Sequence, residues 1–346
     1  MASSAQEAAQ TSTEQPDIPT ALDIHTSTQH IEVDENDTDS AFGEDVASST
    51  TSLLSEVKKY QMENGRRYHG YQAGKYLYPN DEEELDRMDL ENHLFNLLFE
   101  GKLFHAPVED PQVIMDLGTG TGIWAMDVAD QNPGARVIGI DLSPTQPLAV
   151  PPNLEFQIDD IEQVWTFREN FADLIHWRLL IGSINDYSAL LSSIYRTLKP
   201  GGYIEIHDLG DPEMHSDDGT LREDSSTVLW QKTFYQAMDV FGRHIATPED
   251  YKKWLAEAGF TDIVERIYKR PSNTWPKDRR MKEIGKFTCA NMLEGYKAFS
   301  LAPFTRALGW SVDEVDILVA KARTELKDRS IHAYQNVVML YARKPL

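Results

Sequence analysis

The chain predicts an α/β fold, a mostly parallel sheet with helices on both faces. Three observations predict it. The apolar run Val113-Ile114-Met115 ends in Asp116 and opens into a loop with glycines at Gly118, Gly120 and Gly122. Ile123, Trp124, Ala125, Val128 and Ala129 then recur at helical spacing. A second apolar segment, Arg136 to Asp141, also ends in an acid. Strand, tight turn, helix and strand make the first half of a nucleotide-binding βαβ unit. Glycines let the backbone approach a ligand, and the helix start presents free N–H groups. Asp141 lies 23 positions after Gly118, the separation at which an acid reaches ribose hydroxyls.

The spacing separates two cofactor classes. A dinucleotide loop reads G-x-G-x-x-G and cradles a pyrophosphate. Here the loop is Asp116-Leu-Gly-Thr-Gly-Thr-Gly122, and an acid at its start repels a pyrophosphate but suits a cationic amino-acid moiety. The loop resembles the first motif of class I S-adenosylmethionine (SAM) methyltransferases. That resemblance implies a Rossmann-like seven-stranded, mostly parallel sheet and SAM as cofactor. It also implies that Asp116, Gly118, Thr119, Gly120 and Gly122 meet the cofactor, with Asp141 and Leu142 at its ribose. A dinucleotide-dependent oxidoreductase is the rival, and binding of SAM rather than NAD separates the two.

Composition bounds the rest. Residues 1–57 hold twelve Asp or Glu and no Lys or Arg. So acidic a segment buries too little apolar surface to offset its ordering entropy, and residues 1–55 are expected to be a disordered tail. The tail carries about half of the net charge of −23, and the pI near 4.8 argues against a nucleic-acid partner. One cysteine, Cys289, excludes an internal disulfide. No run reaches the ~18–20 apolar residues of a membrane span. Without a hydrophobic leader the chain reads as cytoplasmic, with the nucleus as the alternative. No Cys/His spacing suggests a metal, and no G-x-S-x-G elbow suggests a serine nucleophile.

Residues 56–105 read as an arm and a helix. Aromatic and basic residues alternate with glycines through Arg66, Arg67, Tyr68, His69 and Tyr71. They form either packing for the domain or a lid that brings Arg66, Arg67 or Tyr68 to the cofactor carboxylate or the substrate. Asn80 is expected to cap a helix with Asp81, Glu82 and Glu83 in its first turn, closed by Gly101. Asn64-Gly-Arg-Arg-Tyr-His-Gly-Tyr71, Tyr78-Pro-Asn-Asp-Glu82 and Asp86-Arg-Met-Asp-Leu-Glu-Asn-His-Leu94 resemble the fungal LaeA-like methyltransferases, including the UMTA group of secondary-metabolite clusters. The likeness continues in Leu142-Ser-Pro-Thr-Gln-Pro147, Leu198-Lys-Pro-Gly-Gly202 and Leu326-Lys-Asp-Arg-Ser-Ile-His-Ala-Tyr334. It implies a methyl transfer to oxygen or nitrogen of a small metabolite. The alternative it implies is a regulator in a nuclear complex with velvet-type protein partners.

The catalytic domain is expected over 106–346. Asn153 to Ile161 is a strand ending in two acids. The class I pattern puts Asp159 or Asp160 at the adenine amino group and Ile161 on the ring; one of the acids caps the next turn. Phe171 to Arg178 and Gly202 to Asp208 are the next strands, with a helix from Asn185 to Leu198 between them. Their carboxyl ends place His176 and His207 at the edge where open α/β sheets bind ligands. Either histidine could serve as a base near neutral pH, or be structural. Helical insertions at 209–246 and 271–330 would cover that edge. Trp275, Met281, Phe287, Met292, Tyr296, Phe299, Phe304 and Trp310 serve as packing there or as an aromatic pocket wall. Gln335 to Ala342 is the last strand, and the class I resemblance implies that it inserts antiparallel beside the strand from Gly202.

Overall fold

A parallel strand needs a crossover to reach its neighbour, and a helix is the usual one. The computed structural model describes residues 24–26, 60–69 and 76–346, and it follows that alternation. A short strand β1 (Ile24–Thr26) comes first, then a hairpin of β2 (Gln61–Glu63) and β3 (Arg66–Tyr68). Helix α1 (Glu82–Leu98) leads to β4 (Val113–Leu117), α2 (Ile123–Gln131), β5 (Arg136–Asp141) and β6 (Leu154–Ile158). Next come β7 (Ala172–Arg178), α3 (Tyr187–Thr197) and β8 (Leu198–His215). Helices α4 (Ser226–Val240) and α5 (Pro248–Glu257) precede β9 (Thr261–Pro271). Helices α6 (Arg279–Leu308) and α7 (Val312–Lys327) precede the last strand, β10 (Tyr334–Arg343).

The main sheet runs β1-β9-β10-β8-β7-β4-β5-β6. Strands β8, β7, β4, β5 and β6 are mutually parallel. Strand β10 inserts antiparallel between β8 and β9, as expected. Seven strands therefore reproduce the class I order, and β1 adds an eighth at the edge, parallel to β9. That pairing corrects the tail expectation for Ile24–Thr26; the remainder of 1–55 lies outside the described residues.

Alternation along the strands sorts two layers. Met115, Leu117, Ile175, Trp177, Ile204 and Ile206 pack with Tyr187, Leu191, Tyr251 and Leu255 of α3 and α5. Ile114, Val137 and Leu174 face the other way, against Trp124, Ala125 and Val128 of α2. The strands are buried on both faces, which is why they read as continuous apolar runs.

Several boundaries moved. Asp81, not Asn80, caps α1: its carboxylate accepts the Glu84 N–H at 3.2 Å. Asn80 instead donates to Ser143 Oγ at 3.3 Å. Strand β8 runs seven residues beyond Asp208 because β10 continues to pair with it as far as His215. The capping box at Thr247 and Asp250 forms as the sequence suggests. Helix α6 is a single helix of 30 residues that packs on α1, α4 and α7.

Helix α6 lies close against the turn after β9. A Cβ on Gly285 would sit 1.9 Å from the Asn273 carbonyl oxygen, whereas one on Gly134 would meet nothing within 4 Å. Gly285→Ala is therefore expected to cost ~1–3 kcal/mol in urea unfolding, through the backbone shift it forces. Gly134→Ala should stay within ~0.5 kcal/mol of the parent. Equal stabilities for the two variants would refute this packing.

Candidate active site

A cavity opens where β4, β5 and β7 end. The acid-opened loop forms its floor: Asp116, Gly118, Thr119 and Gly120 line it, with Asp141 and Leu142 beside them and Asp159, Asp160 and Ile161 further along. His176 also lines it. Gly122 does not. It caps α2 at φ +82°, and a Cβ there would stand 2.3 Å from the Phe156 ring, so its lack of a side chain serves helix packing. Gly120 is needed for close approach: its Cβ would lie 2.2 Å from Met88 Cε of α1.

Asp141 fixes the loop. One oxygen accepts the Gly120 N–H at 2.8 Å and the other the Ser143 N–H at 2.9 Å. The Leu142 N–H also bonds this carboxylate, which still has acceptor capacity left for a ligand hydroxyl. Thr145 Oγ1 and Gln146 Nε2 donate to the Gly120 carbonyl at 2.8 and 2.6 Å. The Ser-Pro-Thr-Gln segment thus braces the loop from outside. Asp160 is buried and spends its oxygens on the Glu162 N–H and the Gln163 amide. It is the acid that caps the turn. Asp159 takes the Asp160 N–H with one oxygen and stands at the exposed rim. A braced loop, a carboxylate with open lone pairs and a cradle that tolerates no Cβ together fit a nucleoside cofactor of the SAM type.

Behind the loop runs a buried polar line. His176 Nδ1 lies 2.8 Å from Asp116 Oδ1, and its Nε2 lies 3.1 Å from His207 Nδ1. His207 Nε2 lies 2.7 Å from Glu205 Oε1. Glu205 also accepts the backbone N–H groups of His105 and Ala106, at 2.8 and 2.6 Å. Burial by itself would raise its carboxyl, but the side chains of His105 and His207 outweigh that and hold it well below the usual range. Proton positions follow from this anchor. An ionised Glu205 makes His207 Nε2 the donor and Nδ1 the acceptor. His176 then donates from Nε2, so its Nδ1 accepts a proton from Asp116. Burial pushes Asp116 up to about 7, and pushes His176 well below its ordinary value. Trp124 stacks on His176 with ring centres 3.7 Å apart.

His207 is thus corrected as a cleft-edge base. It is fully buried behind His176, with Phe95 and Phe99 of α1 packed on its ring. His176 reaches the cavity, but both of its ring nitrogens are spent. Neither Arg66 nor Tyr68 lines the cavity. Arg66 is held bidentate by Asp81 at 2.6 and 2.7 Å, and Tyr68 is buried beneath Arg306. The arm instead sends Tyr76 and Tyr78 to the cavity wall.

Sequence reasoning missed the polar inner face of α1. Glu84, Arg87, Glu91 and Asn92 are buried. Arg87 pairs with Glu84 and donates to Asn291 of α6 at 3.0 Å, while Glu91 pairs with Arg270 of β9. The one available signal was the even mixture of charged and apolar positions along the helix. Trp230 and Phe234 of α4, with Met292 and Phe299 of α6, wall the far half of the cavity. Of the eight large residues singled out over 271–330, only Met292 and Phe299 reach it. Trp275, for example, is buried with its indole N–H on the Ala333 carbonyl.

Buried acids with raised pKa make stability depend on pH. Burial holds Asp116 and Asp208 at about 7 and Asp141 at about 6, against 3.8. A raised acid favours the fold fully below its unfolded pKa and loses that advantage as pH climbs through its folded pKa. The ligand-free melting temperature should therefore fall by several degrees between pH 5 and pH 8. Asp141→Asn should flatten the lower part of that slope in a scanning-fluorimetry series; an unaltered slope would place the titration elsewhere.

Comparison with known proteins agrees with this geometry. The family model "Methyltransferase domain" matches residues 90–265. "Methyltransferase pytC" of Aspergillus terreus is 42% identical over 304 residues, covering 87% of this chain and 93% of that protein. "Secondary metabolism regulator LAE1" of Cochliobolus heterostrophus is 42% identical over 291 residues, covering 82% and 94%. "Secondary metabolism regulator laeA" of Aspergillus fumigatus is 35% identical over 333 residues, covering 94% and 89%. No helix among the described residues is long and apolar enough to cross a membrane. With the sheet order, the acid-opened glycine loop and the acid at the end of β5 in place, the chain belongs to the class I SAM-dependent methyltransferases, in the group that holds these fungal secondary-metabolism proteins.

Proposed function

We propose that this enzyme methylates an oxygen or a nitrogen of a small secondary metabolite. One observation carries the reading. The cavity continues past the glycine loop into a compartment walled by Tyr76, Tyr78, Trp230, Phe234, Met292 and Phe299. Such a compartment suits a flat, largely apolar molecule. When bound, SAM supplies a methyl carbon on a sulfonium, and the carbon–sulfur bond breaks in line as a carbon–oxygen or carbon–nitrogen bond forms. The acceptor's proton ends in solvent.

The residues of this chain align the partners and keep water out. Asp141 holds the ribose, Asp159 at the rim meets the adenine amino group, and Ile161 packs on the ring. The aromatic walls orient the acceptor and dry the site. Alignment of this kind lowers a displacement barrier without a base. That suits a site in which His176 and His207 have both ring nitrogens engaged.

A regulatory reading has its own support, because LAE1 and laeA are named as regulators at 42% and 35% identity. In that reading the chain binds SAM within a nuclear complex with velvet-type proteins. Gene deletion followed by metabolite profiling separates the two: the enzyme reading expects one product to lose a methyl group, the regulatory reading many products to vanish together.

Two outcomes are expected in vitro. Radiolabelled SAM incubated with an extract of fungal metabolites should label a low-molecular-weight product, and label found only in protein would sink the small-molecule reading. Asp141→Ala should weaken S-adenosylhomocysteine binding by ~10–100-fold in calorimetry, the loss of about two hydrogen bonds to a charged group. An unchanged affinity would mean that the ribose lies elsewhere.

A further inference from the structure

The expected partner for the cofactor's carboxylate, Arg66, is tied to Asp81 away from the cavity. Three guanidinium groups do line it: Arg87, Arg178 and Arg270. Arg87 is neutralised by Glu84 and Arg270 by Glu91. Arg178, the last residue of β7, has no carboxylate within ion-pair distance among the described residues. Its Nη1 donates to Asn92 Oδ1 at 2.7 Å, and its Nη2 lies 3.4 Å from His207 Nδ1. The guanidinium sits over the Phe95 ring, 4.5 Å from its centre. Its Nε–H is buried and has no partner. A cation removed from water and left without an anion is costly. Burial accordingly lowers Arg178 to about 10.

Its neighbour completes the pattern. Asp116 pairs in register with His176 across β4 and β7. Arg178 follows two residues on, so both side chains leave the same face of the sheet. Both line the cavity, yet they form no salt bridge with each other. Asn92 and His207 hold the guanidinium, while Thr119 and His176 hold the carboxyl. With Asp116 protonated and held by Thr119 and His176, the guanidinium is the charged group of the pair, and it is complementary to a carboxylate brought by a ligand. Its planar fork matches a carboxylate.

We propose that Arg178 anchors the α-carboxylate of the cofactor's methionine moiety. The proposal rests on the SAM reading and adds to it the residue that fixes the carboxylate end. Asn92 and His207 then act as positioning residues for the guanidinium. An acceptor bearing a carboxylate is the rival source of the same anion.

Calorimetry on the full chain tests this with three nucleosides. S-adenosylhomocysteine carries the whole amino-acid group, decarboxylated SAM carries the amine alone, and 5′-methylthioadenosine carries neither. Arg178→Gln should weaken S-adenosylhomocysteine about 10–100-fold and leave the other two within about twofold. Arg178→Lys should recover part of the loss, since it restores the charge without the fork. Unchanged S-adenosylhomocysteine affinity in Arg178→Gln would overturn the proposal and assign the guanidinium to an acceptor carboxylate. Equal losses for all three nucleosides would overturn it too, showing that Arg178 only shapes the pocket. Wild-type protein that binds none of them would instead overturn the SAM reading beneath it.

Discussion

A carboxylate sealed inside a sheet is tolerated only when hydrogen bonds replace the water it has lost. Glu205 meets that demand with two backbone N–H groups from the loop before β4 and with the ring of His207. Everything at the strand ends depends on it. Because Glu205 stays ionised, the tautomers of His207 and His176 are fixed in turn, and Asp116 is left holding a proton beside the glycine loop. The line crosses β8, β7 and β4, so it joins three neighbouring strands through their side chains as well as through the ladder. Helix α1 closes it with Phe95 and Phe99, and Trp124 of α2 seals the other side.

This line gives the cavity its two characters. Toward the glycine loop it is polar: Asp116, Asp141 and Asp159 line it, with the loop carbonyl of Gly120 braced by Thr145 and Gln146. Toward α4 and α6 it is aromatic. Between them stands the polar inner face of α1, where Arg87 pairs with Glu84 on the same helix and donates to Asn291 of α6, and Glu91 pairs with Arg270 of β9. Helix α1 is therefore shared, touching the glycine loop through Met88 and α6 through Arg87. Its partners come from residues almost two hundred positions away.

Much of this was written locally in the chain. The strand–glycine–helix pattern, the acids at 116 and 141, the capping box at Thr247 and the antiparallel last strand all depend on neighbours in sequence or on a fixed period. The resemblance of the arm to LaeA-like methyltransferases was carried by contiguous residues for the same reason. Helix caps were legible to within a residue, since Asn80 and Asp81 are both good caps and only the local φ and ψ choose between them.

The tertiary structure decided what each polar group could still do. A histidine at a strand end looks like a base until its partners are counted: His176 is held by Asp116 and His207 from the two neighbouring strands, and His207 by His176 and by Glu205 of its own strand. Arg66 looked like a ligand cation, yet Asp81 satisfies it once the chain has turned. Arg178 closes an apolar strand without notice in the sequence, but the fold sets it beside Asp116 with no anion of its own. Propensity, period and motif are properties of a few consecutive residues; they marked the strands and helices, and the resemblance they carried implied the family, the cofactor and the order of the sheet. Pairing of buried charges is a sum over residues distant in sequence, so which of them are spent and which remain for a ligand was settled only by folding.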